Sequence, residues 1–417
     1  MLILYNLLIT LLAPIWVPVM LVRTFRRKER PNWSERSGNF ELSLPAKSGR
    51  PRLWVHAVSV GEVIAVRPIL KEIRKRLPEM EIVLSVTTSS GHQTAREGDR
   101  SGYDHLVYFP MDIPRFQLRA MQRVQPVAVL VMETELWMNF LWAAKVFDAA
   151  TILINGRISD RSYPRGMKVR FFYRALLKNL DLAMMQTHLD AERIRALGAA
   201  DVEVLGNSKF DQATEGSQKT ALSFGVPRDR PILVIGSTRG EPEETLVLAA
   251  VQRVGFDRLT VIHAPRHIED APGLISRVRS LTPDAALRSL GETGRYIVLD
   301  TYGELAACYP IADIVVVGGG FQNLGGQNIV QPLAAGKPLL HGPHMQNFRQ
   351  AAELADKAGA ARTCATADEL AAQINLLLGD KELREAMGEA GAKLVHENLG
   401  ASRRYAEAVA EYLEARH

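Results

Sequence analysis

Short apolar runs alternate with longer amphipathic segments from residue 52 onward. The runs are rich in Val, Ile and Leu, as is typical of parallel strands buried on both faces, and helical spacing of apolar residues separates them. In the first half, the predicted strands are RLWVHAV, EIVLSVTT, VAVLVMETE, TILING, LAMMQT and VEVLG. In the second half, they are ILVIGST, LTVIHAP, YIVLDT, DIVVVGGG and KPLLHGP. This alternation predicts an α/β fold with doubly wound parallel sheets.

A polar stretch divides this pattern into two parts. Residues 211–230 contain few apolar side chains and are predicted to form a linker. The chain has 417 residues, which is more than a single core usually reaches, so two domains are expected. We therefore predict two Rossmann-like domains that face a cleft, at residues 31–210 and 231–417, with helices at the end of the second.

The first 30 residues differ from the rest of the chain. The uncharged segment MLILYNLLITLLAPIWVPVMLV is followed directly by RTFRRKER. This apolar length is just enough to span a bilayer, and basic residues after it favour a cytoplasmic position for the remaining chain. Pro14 and Pro18, with Tyr5, Asn6 and Thr10, also permit a helix that lies in the membrane interface. We predict a membrane anchor with a basic flank at residues 1–30.

Composition and charge narrow the possible partners. Charged residues make up 23% of the chain and hydrophobic residues 47%, which is ordinary for a globular protein and excludes general disorder. The net charge of +5 suits an anionic small molecule or an anionic membrane surface, but no dense Lys/Arg tract points to nucleic acid. Cys308 and Cys364 are far apart, so neither a disulfide framework nor a zinc site is indicated, and a reducing cytoplasmic setting is expected.

Polar residues collect where the predicted strands end, which is where ligands meet this kind of sheet. Glu62 follows the first strand in WVHAVSVGEV, and two interpretations are open for it. Ser59 and Glu62 fit a capping box, in which each side chain bonds a free backbone N–H of the first helical turn. Alternatively, Glu62 is a catalytic base whose ionised form is favoured by the helix dipole.

Two further strand ends in the first half carry charged groups. Glu133 and Glu135 in METELW fall on the same side of a strand, where each carboxylate hinders ionisation of the other. Either a structural ion pair or a chemical role explains them. Lys209 lies beside Asp211 in GNSKFD, and a solvated ion pair is the alternative to a functional role.

Glycine-rich loops in the second half are candidate phosphate sites. IGSTRGEPEE, with Ser237 and Thr238, resembles a phosphate loop but lacks the Gly-Lys-Ser/Thr ending of a Walker motif. Its N–H groups at a helix start could hold a phosphate, or Thr238 and Glu241 could form a second capping box. VVVGGGFQNLGGQN does not fit the dinucleotide fingerprint, because Asn323 stands where the third glycine belongs.

HAPRHIE places His263 and His267 four residues apart, a spacing that on a helix presents two metal ligands. Pro265 between them, at a strand end, makes such a helical face improbable. We therefore predict no metal site there and prefer Arg266 as a fork for phosphate or carboxylate.

Nine motifs in one order carry a specific resemblance: SVGE, METELW, NGRISDRS, GNSKFD, GST, APRH, DTYGELAACYPIADIVVVGGG, GGQN and GPHMQNF. This series resembles the 3-deoxy-D-manno-octulosonic acid (Kdo) transferases of the GT-B glycosyltransferase class, from the N-terminal apolar segment to the C-terminal helices. The resemblance implies an acceptor-binding domain followed by a nucleotide-sugar-binding domain. It also implies a membrane-associated enzyme of lipopolysaccharide core biosynthesis, which moves Kdo from CMP-Kdo to a lipid A precursor at the cytoplasmic face of the inner membrane.

The resemblance also assigns roles to individual residues. Glu62 is the general base that takes the proton of the acceptor's hydroxyl, and Glu133 and Lys209 match positions that stabilise the transition state. Residues of the GST motif and of the family's CMP-binding positions are expected to bind substrate: Ser237, Thr238, Pro265, Arg266, Tyr302, Gly303, Glu304, Asn328, Ile329, Val330 and Gln331. This chemistry requires neither a metal ion nor another cofactor, and the sequence does not indicate an oligomeric state.

One departure from the family pattern leaves alternatives open. The family typically has Gly-His-Asn-Pro-Leu-Glu-Pro where this chain has GQNIVQP, so Gln331 replaces an acidic residue that would accept hydrogen bonds from ribose. One alternative is another membrane-associated GT-B transferase that uses a different nucleotide sugar. A second alternative is a tethered nucleotide-binding protein without turnover, in which Glu62 only caps its helix.

Overall fold

The computed structural model describes residues 1–26, 32–42, 49–160, 162–213 and 224–416. The chain forms two compact units, one of Met1–Ser208 with Gly400–His417 and the other of Lys209–Leu399. Residues 214–223, which make up much of the predicted linker, and residues 27–30 of the predicted basic flank lie outside the described residues.

The first unit is built on a parallel sheet of seven strands in the order β3-β2-β1-β4-β5-β6-β7. Its strands are β1 (Arg52–Ala57), β2 (Glu81–Val86), β3 (His105–Tyr108), β4 (Pro126–Met132), β5 (Ala150–Gly156), β6 (Leu182–Met185) and β7 (Val202–Val204). β1 is buried along its whole length because it lies inside the sheet and both of its faces are covered. Leu53 and Val55 join one apolar cluster and Trp54 joins the other, as the period of a strand requires.

Helices connect these strands and cover the sheet. They are α1 (Leu2–Arg26), α2 (Trp33–Arg36), α3 (Val60–Arg76), α4 (Ser89–Glu97), α5 (Pro114–Val124), α6 (Met138–Val146), α7 (Ser162–Lys168), α8 (Arg170–Leu177) and α9 (His188–Leu197). Ser59 is the N-cap of α3, and the apolar face of this helix packs under β1 and β2. The predicted α/β pattern of this half is therefore confirmed.

The second unit contains another parallel sheet of seven strands, in the order β10-β11-β9-β8-β12-β13-β14. Its strands are β8 (Ile232–Thr238), β9 (Thr260–Pro265), β10 (Ala285–Leu287), β11 (Tyr296–Val298), β12 (Ile314–Val317), β13 (Leu339–His341) and β14 (Ala361–Thr363). Its helices are α10 (Glu241–Val254), α11 (Ala271–Leu281), α12 (Leu305–Cys308), α13 (Val330–Ala334), α14 (Arg349–Lys357), α15 (Ala367–Gly379) and α16 (Lys381–Asn398).

The last helix, α17 (Ala401–Arg416), belongs to the first unit. Tyr405, Val409 and Leu413 are buried in the same apolar cluster as the inner face of α3. The Tyr405 hydroxyl donates to the carbonyl of Gly206 at 2.8 Å. The expected range of the second domain, 231–417, therefore includes a helix that packs on the first unit.

Polar contacts fix the start of α1 to the first unit. The Tyr5 hydroxyl donates to the carboxylate of Asp112 at 2.8 Å. The side-chain amides of Asn6 and Asn139 bond each other twice, at 2.9 and 2.8 Å. Burial raises the pKa of Asp112 to about 6. The first two turns of α1 are thus attached by polar side chains as well as by apolar packing.

The predicted membrane anchor is not supported. In the described part of the chain, no helix has both the length and the apolar character needed to cross a membrane. This finding overturns the prediction that a hydrophobic segment within residues 1–30 anchors the chain at the inner membrane. α1 contains Pro14 and Pro18, and the polar groups of its first turns bond to the protein.

We predict that one helical glycine is needed for close packing in the second unit. A Cβ atom on Gly388 of α16 would lie 2.1 Å from the carbonyl oxygen of Gly336. Gly388→Ala should therefore lower the free energy of unfolding by about 1–3 kcal/mol, as measured by urea denaturation. Gly379→Ala at the end of α15 is the control, because a Cβ there has nothing within 4 Å. Equal losses in the two variants would contradict this account of the packing.

Candidate active site

The strand order of the first sheet reverses between the parallel neighbours β1 and β4. From β1 the chain moves outward to β2 and β3, and from β4 it moves the other way to β5, β6 and β7. The loops after β1 and β4 therefore diverge and leave a crevice at the carboxyl edge of the sheet. Glu62 follows β1, and Glu133 and Glu135 follow β4, so the topology brings these three carboxyl groups to one place.

Glu62 lies in the first turn of α3 and is 7% exposed. Its Oε2 accepts a hydrogen bond from the Val58 N–H at 2.8 Å, and its Oε1 accepts one from the Ser59 hydroxyl at 3.1 Å. The Ser59 oxygen in turn accepts the N–H of Glu62 at 3.4 Å. The capping interpretation is thus confirmed, with the difference that the Glu62 side chain bonds the N–H before the cap residue.

Glu133 and Glu135 do not lie on a strand as predicted. β4 ends at Met132, and Glu133 has a φ of 52°, in the left-handed region that residues other than glycine rarely adopt. Its N–H still donates to the carbonyl of Ile154 on β5 at 3.1 Å. The chain therefore turns sharply at Glu133, and the two carboxyl groups leave the strand within this turn.

The electrostatics of this cluster oppose ionisation. Burial raises the pKa of Glu62 well above its usual value, and the negative charges of Glu133 and Glu135 raise it further. The hydrogen bonds from Val58 and Ser59 lower it by less. Burial and the charge of Glu133 also raise the pKa of Glu135. Glu62 is consequently a stronger base than an exposed glutamate when it is ionised.

Lys209 lies in a short 3₁₀ helix, Ser208–Ala213, and is the first residue of the second unit. Lys209 and Asp211 are both buried, so their interpretation as a solvated pair is wrong. Ser208, the preceding residue, donates its N–H to Asn155 Oδ1 at 3.2 Å and its hydroxyl to the carbonyl of Ala65 at 2.8 Å. Lys209 thus follows a residue with a fixed position.

Asn155 is a positioning residue that the sequence analysis did not single out. It is the residue before the last of β5, with a φ of 52°, and is fully buried. The only sequence signal is the Asn-Gly pair at a strand end, within NGRISDRS.

The second unit has its own reversal point, between β8 and β12. One buried carboxylate joins the loops that follow these strands. Glu243 of α10 accepts the N–H groups of Arg239 and Gly319 at 2.7 Å each, and that of Phe321 at 3.0 Å. Sequence reasoning missed this role, because Glu243 is one of several acidic residues in GEPEE and only the fold shows which of them reaches these N–H groups.

The two loops approach each other closely at Gly318. A Cβ atom there would lie 2.6 Å from the Cα of Thr238. Ser237 forms a bulge, since its φ is 60° and the register of β8 with β9 shifts at this point. The Ser237 side chain is half-buried in this bulge.

The expected capping box of Thr238 and Glu241 is wrong. Gly240 is the N-cap of α10, and no side chain caps it. The Thr238 hydroxyl is instead within hydrogen-bond distance of His263 Nε2, at 2.9 Å, and His263 Nδ1 is 2.7 Å from the Tyr296 hydroxyl. All three side chains are buried, and burial lowers the pKa of His263 to about 3. His263 is thus a neutral core residue.

The helix start of α10 also fits a phosphate less well than the sequence suggests. Its first turn carries Glu241, Glu243 and Glu244, and the N–H of Arg239 is already bonded. Arg266 remains a suitable cation, since its side chain is exposed at the end of β9 and its N–H donates to the Thr238 carbonyl at 2.8 Å. In the described ranges, no group of three His, Cys, Asp or Glu side chains is placed to hold a metal ion.

The other predicted nucleotide-binding residues differ in accessibility. Tyr302 is 71% exposed, and Gly303 is exposed beside it. The Glu304 carboxylate accepts a bond from Arg288 at 2.9 Å and another from the Thr301 hydroxyl. Glu304 is therefore already paired with a cation within its own unit.

The segment from Asn328 to Gln331 leads into α13, which starts at Val330. The side chains of Ile329 and Val330 are fully buried in the protein, so a contact of these two residues with substrate would use their backbone groups. The N–H of Val330 is also used, because it donates to Asn328 Oδ1 at 2.9 Å. Asn328 and Gln331 are half-buried and are the members of this segment that retain partly accessible side chains.

We predict that Glu243→Ala lowers the free energy of unfolding by about 3 kcal/mol or more, because it leaves two buried N–H groups and one partly buried N–H group without their acceptor. Glu241→Ala, in the same turn, should change it by less than about 1 kcal/mol, because its side chain is 73% exposed. Urea denaturation of both variants measures this difference. Similar values for the two variants would show that Glu243 does not hold the loops.

Comparisons with known proteins agree with this architecture. Residues 31–212 match the family model described as 3-deoxy-D-manno-octulosonic-acid transferase (kdotransferase). MurG from Acinetobacter baumannii has a TM-score of 0.56 at 14% identity, over 87% of this chain and 99% of its own, which shows a shared GT-B-like fold.

Two relatives are similar over nearly the whole chain. The 3-deoxy-D-manno-octulosonic acid transferase of Bordetella pertussis is 31% identical over 95% of this chain and 96% of its own length. The protein of the same description from Haemophilus influenzae is 30% identical over 96% of this chain and 95% of its own length. The chain therefore belongs to the Kdo transferase family, and it is a glycosyltransferase.

Proposed function

We propose that the protein transfers Kdo from CMP-Kdo to a hydroxyl of a lipid A precursor in lipopolysaccharide biosynthesis. Family membership supports this donor and this class of acceptor. The observation that carries the mechanism is the position of Glu62, a buried carboxylate of raised pKa at the reversal point of the first sheet. In this proposal the first unit binds the acceptor and the second binds the nucleotide sugar.

Glu62 is the general base of the proposed reaction. Its carboxylate takes the proton of the acceptor hydroxyl while that oxygen bonds to the anomeric carbon of Kdo, and the bond from this carbon to the CMP phosphate breaks. The cap does not prevent this role. Two carboxylate oxygens offer about four acceptor sites, and the bonds from Val58 and Ser59 use two of them.

Glu133 and Lys209 stabilise opposite charges in this mechanism. Positive charge develops on the sugar as its bond to the leaving group weakens, and a carboxylate such as Glu133 favours that charge. Negative charge develops on the departing phosphate, which favours a nearby cation. We assign this task to Lys209 and Arg266, with Ser237 as a hydroxyl donor.

The remaining contacts with the nucleotide sugar are assigned from the exposure of the residues. Tyr302 and Gly303 offer an exposed surface, and Asn328 and Gln331 offer amide groups that can bond ribose hydroxyls. Pro265 and Thr238 are buried and position Arg266, whose N–H donates to the Thr238 carbonyl, and the backbone around Ile329 and Val330 orients Asn328. Glu304 contributes indirectly, by forming an ion pair with Arg288.

Glu62→Gln tests the assignment of the base. The amide keeps the size of the side chain but cannot take a proton, so turnover should fall by about 10²–10⁴-fold while the affinity for CMP changes little. Mass spectrometry of the lipid product measures turnover, and calorimetry measures CMP binding. Glu97→Gln, on the exposed face of α4, is the control and should keep full activity.

Other outcomes would contradict the proposal. Full turnover of Glu62→Gln would place the base elsewhere. If the native protein used a UDP-sugar and not CMP-Kdo, the donor would be reassigned, and the replacement at Gln331 would be the reason. Nucleotide binding without any transfer would favour a binding protein.

The pH dependence of transfer gives a second test. A base must be ionised, so activity should fall as the pH drops through the raised pKa of Glu62, above the range of an exposed glutamate. Glu135→Gln removes one negative charge and should lower this pKa, which moves the acid limb of kcat/KM to lower pH. Profiles of both proteins measure the shift. An acid limb that stays at the same pH or moves to higher pH in Glu135→Gln would exclude Glu62 as the titrating group.

A further inference from the structure

An apolar pocket of about 360 Å³ opens in the first unit beside α1. We call it the α1 pocket, and the part of its wall used here consists of Tyr5, Ile9, Arg36, Thr87, Phe109 and Trp137. Polar bonds from the first turns of α1 fix one side of it, through Tyr5 to Asp112. The pocket is thus bounded by a helix of defined position on one side and by the sheet on the other.

The α1 pocket lies at the same edge of the sheet as Glu62. Thr87 follows β2, Phe109 follows β3 and Trp137 lies in the loop after β4, so three of its wall residues come from the carboxyl edge of the sheet. Parallel strands end at one edge, and Glu62 follows β1 at that edge.

Two short paths link the wall of the pocket to Glu62, one through hydrogen bonds and one along the sequence. On one side, Thr88 bonds the carbonyl of Val58 through its hydroxyl at 2.9 Å, and the N–H of Val58 donates to Glu62. Thr87 is the residue before Thr88. On the other side, Trp137 is two residues beyond Glu135, whose charge acts on Glu62. A molecule whose hydroxyl reaches Glu62 therefore has the α1 pocket beside it.

The chemistry of the wall indicates what the pocket takes. Most of its residues are apolar, and water gains few hydrogen bonds against such a surface. The Thr87 hydroxyl is buried and has no hydrogen-bond partner within the described residues. The Arg36 side chain donates to the Thr87 carbonyl at 2.8 Å and lies 4.7 Å from the Tyr108 ring, so a positive charge also borders the pocket.

We propose that the α1 pocket binds an acyl chain of the lipid acceptor, with the carbonyl oxygen of that chain accepting a bond from Thr87. This inference rests on the proposed function, which supplies a lipid as the acceptor. The pocket then selects an acylated sugar over a bare one. Each methylene buried there raises affinity about fourfold, so acceptors with shorter chains should have a higher KM.

A variant that fills the pocket tests this selection. Ile9→Trp adds bulk at the wall and should lower kcat/KM for the acylated acceptor at least tenfold, while kcat/KM for the deacylated acceptor stays within twofold of the native value. Leu8→Trp is the matched control, because Leu8 lies on the same helix but is exposed and does not line the pocket. Equal losses with both acceptors, or no loss with either, would overturn the inference. CMP affinity checks that each variant is folded.

A binding measurement separates this inference from the proposed function. The probe is an acceptor lipid with brominated acyl chains, and the readout is quenching of tryptophan fluorescence in mixed micelles, with unbrominated lipid as the reference. Native protein should be quenched, and Trp137→Phe should lose most of the quenching. Quenching at Trp137 without Kdo transfer would contradict the proposed function and retain the pocket. Transfer without quenching at Trp137 would refute the pocket and retain the function.

Discussion

Parallel strands all end at the same edge of a sheet, and each connection must return the chain to the opposite edge before the next strand begins. This constraint determines where functional groups can lie in both units. The loops that carry them are the ones after β1 and β4, and after β8 and β12, where successive connections diverge. Residues far apart in the sequence, such as Glu62 and Glu133, meet because their strands are neighbours.

Each reversal point contains a buried glutamate, and the two are used in opposite ways. Three N–H groups surround Glu243, so its charge is compensated and it fixes the backbone of two loops. Glu62 accepts two hydrogen bonds and has two neighbouring carboxylates, so ionisation of its side chain is opposed. The arrangement around Glu243 makes the loop backbone rigid, and the arrangement around Glu62 raises the proton affinity of its carboxylate.

Apolar periodicity was sufficient to predict the inner strands of both sheets, and it failed at β3, β10 and β14. These are short edge strands, and a run such as Ala285–Leu287 has too few residues for a pattern. The sequence placed Glu62 and Glu133 each at the end of a strand, and the structure brings them near enough for the charge of Glu133 to raise the pKa of Glu62. The roles of Glu243 and Asn155 could not be predicted, because each depends on which neighbouring loop the fold brings within reach.

Because α17 belongs to the first unit, the second unit is an insertion in the sequence of the first, from residue 209 to residue 399. Tyr405, Val409 and Leu413 complete the apolar layer over α3. During synthesis on the ribosome, the second unit is therefore available to fold before the first has all of its core residues. The layer over α3 stays open to solvent until residues 401–416 have left the exit tunnel.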